Sequence, residues 1–311
     1  MKQTILKLTF KVSRDSQAVI LAIISVLLWS TVATAFKIAL RELNFIQVLA
    51  ISTYVSTFIF FVLFVFKNKF CFNNTFNTKD LKKSALLGFL NPFLYYIVLL
   101  KAYSILPAFM AQPLNYTWPI VLVFFSAWFL KQKLSVLSLV ALVISLIGVF
   151  FISVSNNSSQ SELNLLGILL ATGSSIVWSF YWIFNVKDVR PVHNKMFLNF
   201  LFSSIYITII LVILNLYKIT LSTSFFASIY LGFFEMGITF ILWITALGKS
   251  TRTDKISIYI FLSPLISLFL ISTVLKEKIT FYALIGFFFI LLGILITKIN
   301  ELKTLFSEKK R

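Results

Sequence analysis

The stretch FLKQKLS at residues 129–135 returns as VLKEKIT at residues 274–280. In each copy a basic segment joins two apolar runs, so the two regions are expected to share one structure. Further matches between the two regions are Pro119 with Pro264, Gly148 with Gly293, Leu87-Gly88-Phe89 with Leu231-Gly232-Phe233, and Trp29-Ser30 with Trp178-Ser179. The chain is therefore predicted to contain two homologous halves.

The apolar runs on either side of this stretch are long enough to cross a bilayer, which takes about 20 residues in a helix. The sequence is 59% hydrophobic and 12% charged, with a mean hydropathy of +0.95. Soluble domains are about 45–50% apolar and about 25% charged. The runs lack the alternation of barrel strands, so helices are expected. The predicted spans are 17–38, 46–66, 84–100, 105–130, 134–154, 165–186, 197–217, 225–247, 256–275 and 280–297.

The predicted fold is an all-α membrane protein of ten transmembrane helices, arranged as two inverted five-helix repeats. The first repeat covers 17–154 and the second 165–297, with basic cytoplasmic tails at 1–16 and 298–311. Five is an odd number, so the second repeat enters the membrane from the opposite side. Inverted repeats of this kind are typical of transporters, which hold the substrate near the midplane.

The basic residues support this topology. Lysine and arginine total 28 against 10 acidic residues. With the N-terminus inside, 22 of these 28 residues fall in the loops and tails of the cytoplasmic side. Cytoplasmic loops carry such an excess, so both termini are predicted to be cytoplasmic. The matching Trp-Ser pair inside the chain argues against a cleaved signal peptide at the start. Because the charges do not cluster on a soluble face, we do not expect nucleic-acid binding.

The sequence offers no constellation for catalysis or metal binding. One cysteine, Cys71, and one histidine, His193, cannot form a disulfide or a Cys/His metal site within one chain. The segment Gly248-Lys249-Ser250 lacks the earlier glycine of a phosphate-binding loop. We therefore predict no enzyme activity, no metal and no cofactor.

One aromatic face stands out in the sixth span. Trp178, Tyr181, Trp182 and Asn185 recur at i, i+3, i+4 and i+7, which places three rings and an amide on one side of a helix. This face is predicted to line a ligand cavity. The alternative is an aromatic belt at the membrane interface.

The fourth span carries a polar face around a proline. Gln112, Asn115, Tyr116 and Pro119 share this face, and Trp118 lies one position aside. Because proline removes a hydrogen bond from the helix ladder, a carbonyl here is expected to face water or protein. The alternative is a structural kink held by amide hydrogen bonds between helices.

The third and eighth spans place polar groups at mid-membrane. Asn91 and Tyr95 lie one turn apart beside Pro92, and Glu235 occupies the position equivalent to Asn91. A charged carboxylate at the bilayer centre costs about 2.5–3.5 kcal/mol, so Glu235 is expected to be neutral, paired or in a water-filled cavity. Glu235 would bind a substrate amine or carry a coupling proton. The alternative is a structural pair with Lys37 or an amide, although Lys37 is expected to extend toward the interface.

The order and spacing of several motifs resemble the EamA-type family of the drug/metabolite transporter superfamily. The motifs are the Trp-Ser pair in the first helix of each half, the proline in the fourth, and Leu275-Lys276-Glu277-Lys278 before a final helix with Gly286 and Gly293. Residues 28–31 and 115–119 further resemble the aromatic amino-acid exporter group of that superfamily. The resemblance covers about 17–297, and Gln132 departs from the glutamate that many members carry there.

This resemblance implies a multi-pass protein of the bacterial inner membrane that exports amino acids or related metabolites. It implies that Asn115, Tyr116, Trp118 and Pro119 line the substrate pathway. We expect a monomer whose partners are the lipid bilayer and a small-molecule substrate, moved by alternating access through a central aromatic-lined cavity. The alternatives are a receptor or assembly protein that moves no solute, a channel, and a transporter of another metabolite or drug.

The topology can be tested with alkaline-phosphatase fusions. A fusion at Ser159 should be active because that loop is predicted to lie outside, and a fusion at Pro191 should be silent because that loop is predicted to be cytoplasmic. Enzyme activity in whole cells, normalised to the amount of fusion protein, measures both. The reverse pattern would contradict the topology and the inversion.

Overall fold

The computed structural model describes residues 13–68, 77–130, 136–155, 164–250 and 259–297. All regular secondary structure within these ranges is helical. The predicted tails lie outside the described residues except for 13–16, and so does the segment 131–135 of the repeated stretch. The prediction of an all-α membrane protein is confirmed for the described part of the chain.

Helices cover each of the ten predicted apolar runs, and several are broken into consecutive pieces. The segments are α1 (Arg14–Ser30 and Val32–Ala39), α2 (Phe45–Lys67), α3 (Thr78–Gly88, a π-helical turn at Phe89–Leu94, and Tyr95–Ile105), α4 (Ala108–Asn115 and Trp118–Leu130), α5 (Val136–Ser155), α6 (Leu165–Val186), α7 (Val192–Ile213), α8 (Thr223–Phe234 and Ile238–Lys249), α9 (a 3₁₀ turn at Tyr259–Phe261, and Leu262–Val274) and α10 (Phe281–Thr297).

Six helices in the described ranges are long and apolar enough to cross a membrane. They are Arg14–Ala39, Phe45–Lys67, Thr78–Ile105, Leu165–Asn185, Val192–Ile213 and Thr223–Lys249. The apolar parts of α5, α9 and α10 are shorter, and α4 is broken in the middle. The number of ten crossings therefore stays a prediction.

The breaks in α3 and α8 lie at equivalent places in the two halves. In α3 the backbone of Asn91 is extended (φ −150°, ψ 125°), and Pro92 follows without an N–H to continue the ladder. In α8 the chain leaves helical geometry at Gly237 (φ −104°, ψ −96°) before the second piece begins at Ile238. Each break therefore divides a span into two half-helices near its middle.

Two glycines hold these broken helices against the other half. A Cβ on Gly88 of α3 would overlap the backbone carbonyl of Asn199 in α7. A Cβ on Gly232 of α8 would meet the backbone oxygen of Ser52 in α2 at 2.7 Å. Gly88 and Gly232 are equivalent in the sequence repeat. Each half therefore packs its copy of this glycine against the backbone of a helix from the other half.

Small residues also join α5 to α10. A Cβ on Gly148 would meet the Gly286 carbonyl oxygen at 2.5 Å, and a Cβ on Gly293 would meet the Ala141 carbonyl oxygen at 2.7 Å. The contacting residues have rising numbers in α5 and falling numbers in α10, so these two helices pack antiparallel. Backbones can approach this closely only where side chains are small.

Helices α2 and α7 pack antiparallel as well. The hydroxyls of Tyr54 and Thr208 are 2.7 Å apart toward one end. Toward the other end, the Asn68 amide donates to the Asn194 side-chain oxygen at 2.8 Å. Helix α2 is equivalent to α7 in the repeat, as α5 is to α10, so each of these two pairs of repeat partners runs in opposite directions.

The buried core lies where the halves meet, and large apolar side chains cover the outside. Tyr96 of the first half and Phe200 of the second are almost fully buried. On the outer surface Phe58, Phe226 and Phe288 are more than 60% exposed. An apolar exterior around a core of this kind is expected where lipid is the solvent.

The contact between Gly148 and Gly286 can be tested with matched glycine substitutions. Gly148→Ala should destabilise the protein by about 1–3 kcal/mol, the usual cost of overpacking, because the new methyl group meets fixed backbone. Gly173→Ala in α6 is the control, since a Cβ there has no neighbour within 4 Å. Thermal unfolding in detergent should show a lower midpoint for the first variant alone. Equal midpoints would mean that α5 and α10 do not pack this closely.

Candidate functional site

Aromatic rings from both halves meet at the centre of the molecule. Trp178 of α6 packs on Tyr95 of α3 with ring centroids 4.6 Å apart and ring planes tilted by 35°, and it makes a T-shaped contact with Phe240 of α8 at 6.0 Å. Trp29 of α1 packs on the same Phe240 ring at 6.0 Å. Trp29 and Trp178 are equivalent in the repeat, so one ring of α8 lies between the two matching tryptophans.

The aromatic face predicted for α6 is present in the structure. The helix begins where the Asn164 side chain accepts a hydrogen bond from the Gly167 N–H, at 2.9 Å. Its helical spacing brings Tyr181 and Trp182 within 6.0 Å and 5.8 Å of Trp178, measured between ring centroids. Tyr181 is buried, whereas Trp178 and Trp182 are half-buried.

Glu235 meets its polar partner from the first half beside these rings. The Tyr96 hydroxyl donates to the Glu235 carboxylate at 2.8 Å. The Trp29 indole N–H points at the Glu235 backbone oxygen, 3.5 Å away. This half-buried carboxylate therefore lies between the halves and is held by a phenol.

Lys37 does not pair with Glu235. Its ammonium group donates to the carbonyl oxygens of Tyr103 and Leu106, each at 3.0 Å, at the end of α3. Cations are favourable there because the last carbonyls of a helix lack intrahelical partners. Lys37 thus closes the carboxyl end of a neighbouring helix, and its extension toward the interface stays a prediction.

The predicted residues of α4 lie beside the same cluster. The Asn115 amide donates to the Ser174 hydroxyl at 2.7 Å, and the Tyr95 hydroxyl is 3.4 Å from the Asn115 oxygen. The Trp118 carbonyl accepts from the Ser179 hydroxyl at 3.0 Å. Asn115 and Trp118 are thus attached to α6 by two serines that the sequence analysis did not select.

Two further residues of α4 were predicted to line the pathway. Tyr116 lies at the break between the pieces of α4, where its hydroxyl faces Ser263 of α9. Pro119 lies in the first turn of the second piece, and its side chain is outside the described part. The break itself occurs where the missing N–H of Pro119 leads one to expect it.

Asn91 and Asn185 lie in different parts of the molecule. Asn91 is buried at the break in α3, where its amide faces the Tyr181 hydroxyl. Asn185 is buried at the end of α6, where its backbone oxygen accepts from the Lys195 ammonium group at 3.2 Å. The structure thus joins Asn91 to the central cluster through Tyr181, while Asn185 lies toward the charged end of the helix.

Three residues of this cluster were missed by sequence reasoning. Trp29 carried a usable signal, because it matches Trp178 in the repeat. Tyr96 had a weaker one, since it is adjacent to the predicted Tyr95 but points to a different helix. Phe240 had none, because nothing distinguishes it from the other phenylalanines of α8. The role of all these side chains in substrate binding stays a prediction.

A charged cluster ties the halves together at one end. The Asp188 carboxylate accepts hydrogen bonds from the guanidinium group and the backbone N–H of Arg190, the shortest at 2.7 Å, and lies 3.1 Å from the Lys83 ammonium group of α3. Arg190 also donates to the Asp80 carbonyl at 3.0 Å. Burial opposes the charge of Asp188, but the hydrogen bonds from Arg190 outweigh it and lower its pKa to about 2. Asp188 therefore stays ionised at physiological pH.

The opposite end carries a different tie between the halves. The Glu277 carboxylate, between α9 and α10, accepts hydrogen bonds from the N–H groups of Ala108 and Phe109 at 3.1 and 3.2 Å. It thereby caps the start of α4, where an anion is favourable. The two halves are therefore tied at both ends, and the aromatic cluster and Glu235 lie between these ties.

The family comparison covers nearly the whole described fold. The model of the EamA-like transporter family matches residues 16–154 and again 165–299. The chain belongs to this family. Its two matched regions are the two halves described above, and the predicted family is confirmed.

Two curated relatives of this transporter carry only general names. An uncharacterized transporter of Clostridium kluyveri is 27% identical over 193 residues, covering 58% of this chain and 61% of that protein. The uncharacterized transporter YvbV of Bacillus subtilis is 24% identical over 209 residues, covering 66% and 68%. A solved crystal structure superposes with a TM-score of 0.64 over 91% of this chain and 97% of its own at 16% identity, which supports the fold alone. The match spans about three fifths of the length of the first relative and about two thirds of the second. The chain is a multi-pass membrane protein of the EamA-like transporter family.

The aromatic cluster can be tested by removing its central ring. Trp178→Ala should abolish transport and leave the thermal midpoint largely unchanged, because a half-buried ring contributes more to a ligand surface than to packing. Trp128→Ala is the control, since Trp128 is 77% exposed on the outside. If Trp178→Ala instead lowered stability by the 3–5 kcal/mol, roughly, of a lost core aromatic, the ring would belong to the core.

Proposed function

We propose that this transporter exports amino acids or related small metabolites by alternating access through the aromatic-lined region between its halves. The observation that carries the proposal is the Glu235 carboxylate, which accepts a hydrogen bond from Tyr96 of the other half at 2.8 Å. The Trp29 indole N–H lies 3.5 Å from the backbone oxygen of the same residue. Buried ionisable groups in transporters commonly mark substrate or proton pathways. The site therefore combines one acid with several ring faces.

The side chains favour an amine with an apolar or aromatic body. The carboxylate of Glu235 would bind a substrate ammonium group, and the faces of Trp178 and Tyr95 would pack on an apolar side chain. This chemistry agrees with the resemblance of residues 28–31 and 115–119 to the aromatic amino-acid exporter group. Amino acids are therefore our proposed substrate class.

Alternating access is supported by the arrangement of the helices. The antiparallel packing of α2 with α7 and of α5 with α10 is the geometry that an inverted repeat requires. The ties at the two ends, through Asp188 and through Glu277, use different chemistry and can open separately. We infer that one opens while the other holds, so that the site faces one side of the membrane at a time.

The location follows from the charges. We propose a bacterial inner-membrane protein with both termini in the cytoplasm, because its matched relatives are bacterial and its basic loops fall on one predicted side. In that orientation the Asp188 cluster faces the cytoplasm and Glu277 faces outward.

Counterflow in proteoliposomes tests the function and the role of Glu235 together. Vesicles loaded with unlabelled amino acid should accumulate the labelled form, which neither a receptor nor a channel would do. If Glu235 carries a coupling proton, Glu235→Gln should retain exchange but lose pH-driven uptake. If it binds a substrate amine, exchange should weaken at every pH.

The matched control for this substitution is Glu42→Gln, which makes the same change at an exposed loop residue. It should behave like the wild type in both assays. Wild-type behaviour of Glu235→Gln would make that residue structural. Absence of counterflow across a full panel of amino acids would contradict the proposed substrate class.

A further inference from the structure

Two helix crossings between the halves bring equivalent residues into contact. Helix α8 crosses α2 where Gly232 meets the backbone oxygen of Ser52, and α3 crosses α7 where Gly88 meets the backbone oxygen of Asn199. The two glycines are equivalent in the repeat. Ser52 and Asn199 are therefore equivalent as well, and each is the eighth residue of its helix.

The crossing of α2 with α8 is held by two serine hydroxyls. The Ser52 hydroxyl donates to the Ser228 carbonyl at 2.8 Å. One turn later the Ser56 hydroxyl donates to the Gly232 carbonyl, also at 2.8 Å. Both serines are fully buried, and hydrogen bonds of this kind join helices in membranes. We call Ser52 and Ser56 the serine latch.

The crossing of α3 with α7 has polar side chains at the same positions but lacks these bonds. Asn199 and Ser203 of α7 match the serine latch and are fully buried. Within the described ranges the Asn199 amide, the Ser203 hydroxyl and the Ser84 hydroxyl of α3 complete no hydrogen bond. The Tyr181 hydroxyl faces the Asn199 amide but points to the Met196 sulfur, 3.9 Å away.

Distance does not explain this difference. A Cβ on Gly88 would come closer to the Asn199 oxygen than the 2.7 Å that separates a Cβ on Gly232 from the Ser52 oxygen. The side chains of α7 are therefore near enough to reach carbonyl groups of α3. Buried polar groups are normally satisfied, so a second arrangement that completes these bonds would be favourable.

The serine latch lies in the part of α2 that begins at the Glu277 end of the molecule. Ala108, which Glu277 caps, follows the end of α3. Lys101, in the last turns of α3, lies over the ring of Phe45, the first residue of α2, at 5.4 Å. The equivalent side chains of α7 lie in the part that begins at the opposite end, beside the Asp188 cluster.

An inverted repeat supplies the second arrangement. Because the two halves share one plan, exchanging their conformations produces a molecule that faces the other side of the membrane. After the exchange, Asn199 would donate to the Ser84 carbonyl and Ser203 to the Gly88 carbonyl, while the serine latch would release α8. Bonds lost at one crossing would thus be replaced at the other.

We propose that the two crossings are alternating latches: Ser52 and Ser56 hold α8 while the Glu277 end is closed, and Asn199 and Ser203 hold α3 while that end is open. This inference rests on the alternating access of the proposed function. It assigns the balance between the two states to four side chains outside the aromatic cluster.

The test measures opening of the Glu277 end by the reactivity of one thiol. Cys71→Ser removes the single cysteine of the sequence, and Met110→Cys places a thiol at a fully buried position two residues after the capped Ala108. The full chain in lipid nanodiscs is labelled with a maleimide. In this background Ser56→Ala should raise the labelling rate about twofold to tenfold, the effect of one lost hydrogen bond, and Ser203→Ala should lower it by a similar factor.

Three comparisons separate this effect from a general loss of stability. Ser56→Ala and Ser203→Ala combined should restore the starting rate to within about twofold, because the two effects have opposite signs. Ser25→Ala is the control, since that buried hydroxyl donates within its own helix, to the Leu21 carbonyl at 2.9 Å, and the rate should not change. The thermal midpoint should fall for Ser56→Ala but not for Ser203→Ala, whose hydroxyl completes no bond in this structure.

The outcomes distinguish the latches from the proposed function. A labelling rate for Ser203→Ala that equals that of Ser25→Ala, or that rises, would overturn the latches even if amino acids are exchanged. This variant decides the question alone if Ser56→Ala does not fold. If both variants shift the rate as expected while no amino acid shows counterflow, the latches stand and the amino-acid substrate is wrong.

Discussion

The need to satisfy every backbone group inside a membrane governs this structure. Hydrocarbon offers no hydrogen bonds, so a helix can break only where other parts of the protein replace the lost ones. The Thr31 hydroxyl donates to the Leu28 carbonyl at the break of α1, and the Thr239 hydroxyl donates to the Phe234 carbonyl at the break of α8. Ser179 does the same for Trp118 in α4. The broken segments gather at the centre because only there are such partners available.

This gathering gives the two halves one plan with a chemical difference at its centre. The glycine crossings and the tryptophans recur in both halves, whereas the mid-membrane positions carry an amide in one and an acid in the other. A symmetric scaffold can therefore present an asymmetric pair of polar groups.

Much of the architecture could be predicted from local sequence patterns. Apolar runs predict the positions of the helices because length and hydropathy are properties of the local sequence. The spacing of Trp178, Tyr181 and Trp182 predicts a shared helix face because helical geometry alone brings them together. The partner of Glu235 could not be predicted, because Tyr96 lies 139 residues away in the chain and no pattern states which face of α3 meets α8. The acceptors of Lys37 could not be predicted for a similar reason: they are carbonyl groups of another helix, which the side-chain sequence does not reveal.

The cluster around Asp188 has a consequence for how easily the halves can separate. An ion pair shielded from water has already lost most of its hydration, and the attraction between its members roughly offsets that loss. When such a closure opens, returning water compensates the broken hydrogen bonds of Asp188, Arg190 and Lys83. A contact of similar area made from leucines and phenylalanines would expose apolar surface to water and gain nothing in return. Charge at this end therefore allows the dry and the hydrated arrangement of the contact to lie close in free energy.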